Sequence, residues 1–172
     1  GPEPFQPART VKVPLLPDDH LMEQFHSKNR YNIRLALRRG VTVEQAQGEA
    51  AVRQFYALLD DTAQRNKFGV HTYGYYRDAL ELFGTDAALL FATIDGATAA
   101  GVITARFGDE AVYLYGASST AVRADGASFL LQYEAMKWAR EQGAARYDLW
   151  GIPATNPEEL PKGARGMTRS EG

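Results

Sequence analysis

The sequence predicts an α+β domain with a mixed, mostly antiparallel sheet flanked by helices. Three strand-like segments follow one another and are joined by turn signals at Asp95-Gly96 and Gly108-Asp109, and turns of two residues join antiparallel neighbours. Amphipathic helical patterns stand on both sides of this three-strand meander. The later helix leads to a last strand at 146–150, and a strand–helix–strand crossover makes that strand parallel to the one before it.

The N-terminal part combines two short strands with a helix. Residues 10–15 alternate between apolar and polar side chains, and Pro14 suits a strand at the edge of a sheet. Ser27 is a favoured N-cap and Gly40 a favoured helix end, so we predict a helix between them. Residues 41–45 are predicted to form the next strand.

The remaining elements follow from hydrophobic periodicity. Apolar residues at i, i+3, i+4 and i+7 predict a long helix at 49–65. A shorter helix is predicted at 75–83, because Gly84 follows as a stop. The meander and the crossover then complete the order with segments 88–94, 99–107, 111–117, 128–142 and 146–150.

One domain accounts for the 172 residues, since single domains usually contain about 100–200 residues. We divide the chain into a lead-in segment at 1–9, a folded domain at 10–152 and a flexible C-terminal tail at 153–172. No apolar run is long enough to cross a bilayer and no signal peptide is recognisable. A cytoplasmic protein is therefore expected.

The composition excludes several kinds of chemistry. The chain has no cysteine, which rules out disulfides, cysteine-ligated zinc and thiol catalysis. Its histidines, His20, His26 and His71, are too far apart for a metal-ligand motif. The net charge of −2 argues against a general nucleic-acid binder, whose affinity depends on a basic surface. A local exception is the segment 27–40, which is basic and contains no acid.

Four segments carry a resemblance to a known family. They read Lys-Asn-Arg-Tyr-Asn-Ile-Arg-Leu-Ala from Lys28, Phe-Tyr-Ala-Leu-Leu from Phe55 with Phe-Gly-Val-His from Phe68, Tyr-Leu-Tyr-Gly-Ala-Ser from Tyr113, and Tyr-Asp-Leu-Trp-Gly-Ile-Pro from Tyr147. In order and spacing, from about Arg9 to Pro153, the chain resembles the C-terminal domain of the FemABX family of peptidoglycan-bridge aminoacyltransferases.

The resemblance implies a GNAT-like acyltransferase fold, whose element order the predicted elements follow. It also implies that an amino acid moves from aminoacyl-tRNA, as co-substrate, to the stem peptide of a nucleotide- or lipid-linked muramyl-peptide, without a cofactor. Family members normally have two such domains, so the missing first domain is a possible partner. They also have a C-terminal Tyr-Arg-Phe-Lys-like stretch. If Arg169 matches its arginine, Glu171 replaces its active-centre lysine, and this chain could be a fragment or inactive alone.

The basic segment offers candidate phosphate ligands. Arg30, Arg34 and Arg38 recur every four residues and line one helix face, and the planar guanidinium matches phosphate oxygens. The alternative is a solvated helix face. The family resemblance favours Arg30 and Arg34 as substrate-binding residues, whereas Arg38 and Arg39 are expected to be solvated.

The predicted strand 111–117 offers the other candidate site residues. Tyr113 and Tyr115 are expected on one face of it. In a GNAT-like fold the next strand diverges here, and the gap exposes backbone N–H groups that can polarise an acyl carbonyl. We predict that Tyr115 and Gly116 contact substrate, Gly116 by allowing a close approach. Tyr113 is expected to pack, and packing is the alternative for Tyr115.

No catalytic residue is assigned from the sequence. His71 is a candidate general base, but a loop histidine bonded to backbone is the preferred interpretation. Asp148 lies in a predicted buried strand, where an acid needs a partner, and a structural role is preferred. Several cations are candidates for tRNA phosphate, although a solvated role is preferred for each one alone: Lys137, Arg140, Lys162, Arg165 and Arg169.

Residues 123–128 give a rival signal. They read Arg-Ala-Asp-Gly-Ala-Ser and are similar to the Arg/Gln-x-x-Gly-x-Gly/Ala loop of acetyl-CoA-dependent GNAT enzymes. In such a loop, backbone N–H groups and a helix N-terminus hold a pyrophosphate. Ser128 departs from the last position of that pattern. Two alternatives therefore stay open: an acetyl-CoA-dependent N-acetyltransferase, and a non-catalytic module that binds a cell-wall precursor through Arg30 and Arg34.

Overall fold

The computed structural model describes residues 12–149. Within this part no helix has the length and apolar content needed to cross a bilayer. The predicted lead-in and tail, and with them Lys162, Arg165, Arg169 and Glu171, lie outside the described residues. In chain order the elements are β1 Lys12–Pro14, α1 Asp18–Glu23, α2 Ser27–Arg38, β2 Thr42–Ala46, α3 Glu49–Asn66, α4 Tyr73–Phe83, β3 Ala87–Ile94, β4 Ala97–Phe107, β5 Glu110–Ser118, α5 Ala127–Glu141 and β6 Arg146–Asp148.

The strands form one sheet in the order β1-β6-β5-β4-β3-β2. Neighbouring strands are antiparallel except β5 and β6, which run parallel as the crossover through α5 requires. Asp95 and Gly96 both have positive φ, as a type I′ turn needs, and Gly108 has positive φ at the start of the next turn. The predicted α+β class and its meander are confirmed.

The helix starts differ from the prediction in α2, in α4 and, by one residue, in α5, which begins at Ala127. Ser27 is not the N-cap of α2 but its first residue, because His26 has the extended backbone of a cap. The His26 Nδ1 accepts a hydrogen bond from the Lys28 N–H at 3.1 Å, which is the role expected of a serine hydroxyl. α4 begins at Tyr73 rather than Tyr75. The helix α1 is not predicted, since it is too short for a periodic pattern.

Helices cover both faces of the sheet. α2 and α5 lie on one face, here called the α5 face, where Ile33 of α2, Leu130 of α5 and Val102 of β4 belong to one buried cluster. α3 and α4 lie on the other, the α3 face, where Phe55 packs against Ile103. Successive residues of β4 thus enter different layers, because side chains alternate along a strand. Each layer buries its own apolar cluster, and β5 borders both.

Candidate active site

The sheet opens between β5 and β6. The two strands pair only over residues 110–112 and 146–148. From Tyr113 to Ser118, β5 has β4 on one side and no described strand on the other. Alternate residues of such an edge direct their backbone N–H and C=O groups away from the sheet. This matches the divergence that the resemblance implies, and it offers amide hydrogens to a bound acyl group.

A β-bulge sends the two tyrosines of β5 to opposite faces. Tyr113 pairs with Thr104 and Tyr115 pairs with Ile103, so Leu114 is an extra residue in β5. Neighbouring residues of β4 point to opposite faces, and so do the tyrosines opposite them. Tyr113 packs on the α5 face and Tyr115 on the α3 face. The prediction that both share one face is wrong, because regular alternation does not include an inserted residue.

A groove of about 190 Å³ lies beside the open part of β5. Residues of β4, β5, α3 and α5 line it, and its polar lining includes Thr62, Ser118, Ser128 and Gln132. The groove is large enough for a small acyl group together with water. Because the open edge of β5 forms one wall, an acyl carbonyl in the groove would lie close to backbone N–H groups.

Tyr113 and Gly116 form part of the groove wall. The Tyr113 hydroxyl lies over Gly116, where an added Cβ would be 1.6 Å from the hydroxyl oxygen. Burial raises the pKa of Tyr113 to about 12, and the hydroxyl has no hydrogen-bond partner among residues 12–149. Tyr113 is therefore a protonated donor beside the groove. The missing side chain of Gly116 thus makes room for the Tyr113 hydroxyl. The contact of Gly116 with substrate stays a prediction.

α3 fixes the far end of β5. The Thr62 hydroxyl accepts a hydrogen bond from the Ser118 N–H at 3.1 Å and donates to the Leu58 carbonyl at 2.8 Å. Arg65 donates to the Ser118 carbonyl at 2.8 Å and lies 3.9 Å from the Asp61 carboxylate. Arg65 is therefore a cation next to the groove, and its role was not predicted from the sequence. Arg65 lies three residues after Thr62 and therefore on the same face of α3. The sequence does not indicate that Thr62 contacts β5, so it could not have pointed to Arg65.

Tyr115 belongs to an aromatic cluster on the α3 face. Its hydroxyl oxygen is 2.9 Å from that of Tyr75, and its ring centroid is 5.0 Å from that of Tyr76. Burial and then the hydrogen bond to Tyr75 raise the pKa of Tyr115. The His71 ring stacks on Tyr75 with centroids 3.9 Å apart. A substrate that reached Tyr115 would meet this hydroxyl pair rather than the groove, and the roles suggested for Tyr115 and His71 stay predictions.

The two predicted phosphate-binding arginines do not share a site with Tyr115. They lie on α2, which buries Ile33 on the α5 face, whereas Tyr115 packs on the α3 face. Arg30 donates to the Phe25 carbonyl at 2.5 Å, and Arg34 is exposed on the outer side of α2. The sheet therefore separates them from Tyr115, and their binding of a diphosphate stays a prediction.

The loop before α5 brings a helix N-terminus to the groove. Gly126 has φ of +80°, and an added Cβ would lie 2.0 Å from the Asn32 carbonyl oxygen. An ion pair of 3.2 Å between Arg39 and Asp125 ties the same loop to α2. Ser128, in the first turn of α5, lines the groove. Packing against α2 therefore accounts for the glycine in the loop that resembles a pyrophosphate-binding motif.

The other candidates have neighbours of their own. Asp148 ends β6 and is half-buried. Lys137 is 3.5 Å from Glu134, and Arg140 forms an ion pair with Asp18. These contacts are consistent with structural roles, and binding of tRNA phosphate by the two cations stays a prediction.

These features define a class of protein. A mixed sheet that opens between two parallel strands, with a groove and a helix N-terminus at the opening, is the arrangement expected of a GNAT-type acyltransferase. A family model described as an acetyltransferase (GNAT) domain matches residues 25–157. The chain belongs to this family.

Individual relatives narrow the class. The lipid II:glycine glycyltransferase of Staphylococcus aureus is 26% identical in an alignment that covers 86% of this chain and 51% of that protein. The crystal structure of FemX matches with a TM-score of 0.75 at 25% identity, over 83% of this chain and 52% of that one. L-PGS from Bacillus licheniformis shares the fold, with a TM-score of 0.60 at 17% identity, over 88% of this chain and 49% of that one. The FemABX resemblance is confirmed, and the chain spans about half the length of these relatives.

Proposed function

We propose that this chain is the GNAT domain of an aminoacyltransferase that moves an amino acid from aminoacyl-tRNA to the stem peptide of a peptidoglycan precursor. The observation that carries the proposal is the groove beside the open half of β5, with its amide edge and the Tyr113 hydroxyl. The relative from Staphylococcus aureus, a lipid II:glycine glycyltransferase by name, supports a peptidoglycan precursor as the acceptor. The acceptor is then a muramyl-peptide linked to a nucleotide or a lipid.

In the proposed reaction the acceptor amine attacks the carbonyl carbon of the ester. A C–N bond forms, the C–O bond to the tRNA ribose breaks, and the proton of the amine leaves with the ribose oxygen. Negative charge develops on the carbonyl oxygen in the tetrahedral intermediate. Backbone N–H groups of β5 and the Tyr113 hydroxyl are the donors proposed to stabilise that charge. The ester is already activated, so the reaction needs no metal or redox cofactor.

The precursor diphosphate needs cations. Arg65 is the candidate beside the groove, because it is bound to the Ser118 carbonyl at 2.8 Å. Arg30 and Arg34 remain candidates if the precursor extends along the α5 face as far as α2. Charge reversal at Arg65, and separately at Arg30 and Arg34, followed by measurement of precursor affinity, shows which of these arginines bind the diphosphate.

The test is transfer of radiolabelled amino acid from charged tRNA to a muramyl-pentapeptide, with this chain and with a version that carries the first domain. Tyr113→Phe removes one donor and should lower kcat by roughly 100-fold. Tyr147→Phe is the control, since that hydroxyl is bonded to Thr104 at 3.0 Å and does not line the groove. The proposal fails if the two-domain protein transfers nothing from any aminoacyl-tRNA.

A second candidate is an acetyl-CoA-dependent N-acetyltransferase. It is favoured by the first turn of α5, where Ser128 lines the same groove and where a helix N-terminus suits a pyrophosphate. A substitution at Gly126 cannot test it, because the new side chain would collide with the Asn32 carbonyl. Ser128→Asp keeps a residue favoured near a helix start and adds a negative charge. Tight acetyl-CoA binding in calorimetry that Ser128→Asp abolishes would favour this candidate over transfer from tRNA.

A further inference from the structure

The outer side of α2 concentrates positive charge. The helix buries Asn29, Ile33 and Ala36 and exposes its opposite side to solvent. Four exposed side chains of α2 fall within about 120° around the helix axis and form the surface here called the basic face: Tyr31, Arg34, Leu37 and Arg38. The segment 27–40 contains no acid, although the whole chain has a net charge of −2. The basic face is therefore complementary to an anionic surface.

The basic face also carries two exposed apolar side chains. Tyr31 is 56% exposed and Leu37 is 54% exposed, and the Arg38 guanidinium lies 5.9 Å from the centre of the Tyr31 ring. Nucleic-acid phosphates would engage the cations but leave Leu37 in water. In a bilayer the same leucine would enter the boundary between headgroups and acyl chains and lose its contact with water. The combination therefore favours a lipid surface over a nucleic acid.

We propose that the basic face of α2 binds the surface of an anionic lipid bilayer. Arg34 and Arg38 neutralise lipid phosphates, and each cation near such a surface raises the affinity by about fivefold. Tyr31 and Leu37 lie at opposite edges of the basic face. Tyr31 lies at the level of the headgroups, where tyrosine is commonly found, and Leu37 enters the boundary between headgroups and acyl chains. Because α2 covers the α5 face, the bilayer lies on that side of the domain. This interaction is independent of acyl transfer, and it assigns Arg34 to lipid rather than to the precursor diphosphate.

The first test is sedimentation of this chain with vesicles of phosphatidylcholine, alone or mixed with phosphatidylglycerol. Binding is expected only to the anionic vesicles and should decrease as salt is added. The double variant Arg34→Glu with Arg38→Glu reverses both charges and should lower the partition coefficient of the protein on anionic vesicles by about 10-fold or more. The control is Lys67→Glu with Arg77→Glu, which reverses the same number of charges at exposed positions after α3 and in α4, on the α3 face. The proposal is overturned if the parent chain does not bind anionic vesicles at low salt. It is also overturned if the control variant loses as much vesicle binding as the variant with Arg34→Glu and Arg38→Glu.

A second variant separates lipid from nucleic acid. Tyr31→Ser with Leu37→Ser retains every cation and should still lower vesicle binding by about 10-fold, because the apolar contact is lost. The same variant should bind tRNA as the parent does. If vesicle binding were unchanged in this variant while the double charge reversal abolished tRNA binding, the basic face would be a nucleic-acid surface and the proposal would be wrong. All four side chains are exposed, so the thermal unfolding midpoint should remain that of the parent.

Discussion

The two faces of the sheet are packed in different ways. On the α5 face, Gly126 and Gly116 lie where an added Cβ would be 2.0 Å from a backbone carbonyl and 1.6 Å from a tyrosine hydroxyl. On the α3 face, aromatic rings fill the space, and a Cβ at Gly101 would meet only ring atoms at 3.0 Å. The α5 face should therefore be disturbed by a single added methyl group, whereas the α3 face should adjust by small movements of its rings.

The difference extends to the hydroxyl groups at the candidate site. Tyr115, on the α3 face, shares its hydroxyl with Tyr75, whereas Tyr113, on the α5 face, lacks a partner among the described residues. The bonded pair satisfies both hydroxyls within the protein, whereas the Tyr113 hydroxyl is left for a group outside it. Tyr113 lines the groove, and a hydroxyl without a protein partner there suits a donor that meets its acceptor only when substrate binds.

The largest effect is expected for Gly126→Ala. The substitution adds a Cβ 2.0 Å from the Asn32 carbonyl oxygen at a residue with φ of +80°, so it combines a collision with backbone strain. We expect the free energy of unfolding to fall by about 3 kcal/mol or more. Gly143→Ala is the control, because Gly143 also has positive φ but an added Cβ would have no neighbour within 4 Å. Its cost should be about 1 kcal/mol. Equal losses in urea unfolding would mean that strain, and not the contact between α2 and α5, accounts for the effect.

A smaller effect is expected for Gly116→Ala, since the obstacle is the end of a side chain. We expect a loss of about 2 kcal/mol in the free energy of unfolding, against about 1 kcal/mol or less for Gly101→Ala on the opposite face. Combining Gly116→Ala with Tyr113→Leu removes the hydroxyl and the ring edge, and should restore part of the loss. Additive losses in the double variant would contradict the collision between the two residues.

Local signals explain which parts of the fold could be predicted. The short turns at Asp95-Gly96 and Gly108-Asp109, and the periodicity of residues 49–65, fix elements whose physical cause lies within a few neighbouring residues. The N-cap of α2 was misassigned because His26 takes a role that serine usually has. The bulge at Leu114 is a property of the pairing between β4 and β5, and no property of β5 alone reveals it.

In the candidate site, too, the features that depend on contacts between distant elements could not be predicted from the sequence. The opening beside Tyr113–Ser118 is an expectation from the GNAT-like fold that the resemblance implies, and the groove lies there. Arg34 and Tyr115 are separated because α2 covers the α5 face, whereas the bulge turns Tyr115 toward the α3 face. Both are decided by packing between elements distant in sequence. Arg65 was overlooked for the same reason, since its importance comes from its bond to the Ser118 carbonyl.

The smallest effect concerns alkaline pH. Burial raises the pKa of Tyr113 to about 12, above the value of about 10 for an unfolded tyrosine. The folded state therefore keeps this proton when the unfolded state has lost it, so the stabilisation is complete below about pH 10 and is lost as the pH rises through about 12. Near pH 11, Tyr113→Phe should reduce the slope of the free energy of unfolding against pH by up to about 1 kcal/mol per pH unit.

Tyr115→Phe provides the comparison across the sheet. The pKa of Tyr115 is also raised, by burial and by its bond to Tyr75, but its side chain is half-exposed and water weakens the effect. Urea unfolding of the parent and both variants, at neutral pH and at about pH 11, should show the larger change in slope for Tyr113→Phe. An unchanged slope in that variant would mean that water reaches the Tyr113 hydroxyl. The groove would then be too wet for the hydroxyl to act as a strong donor, since hydrogen bonds to a developing charge are strongest where water is excluded.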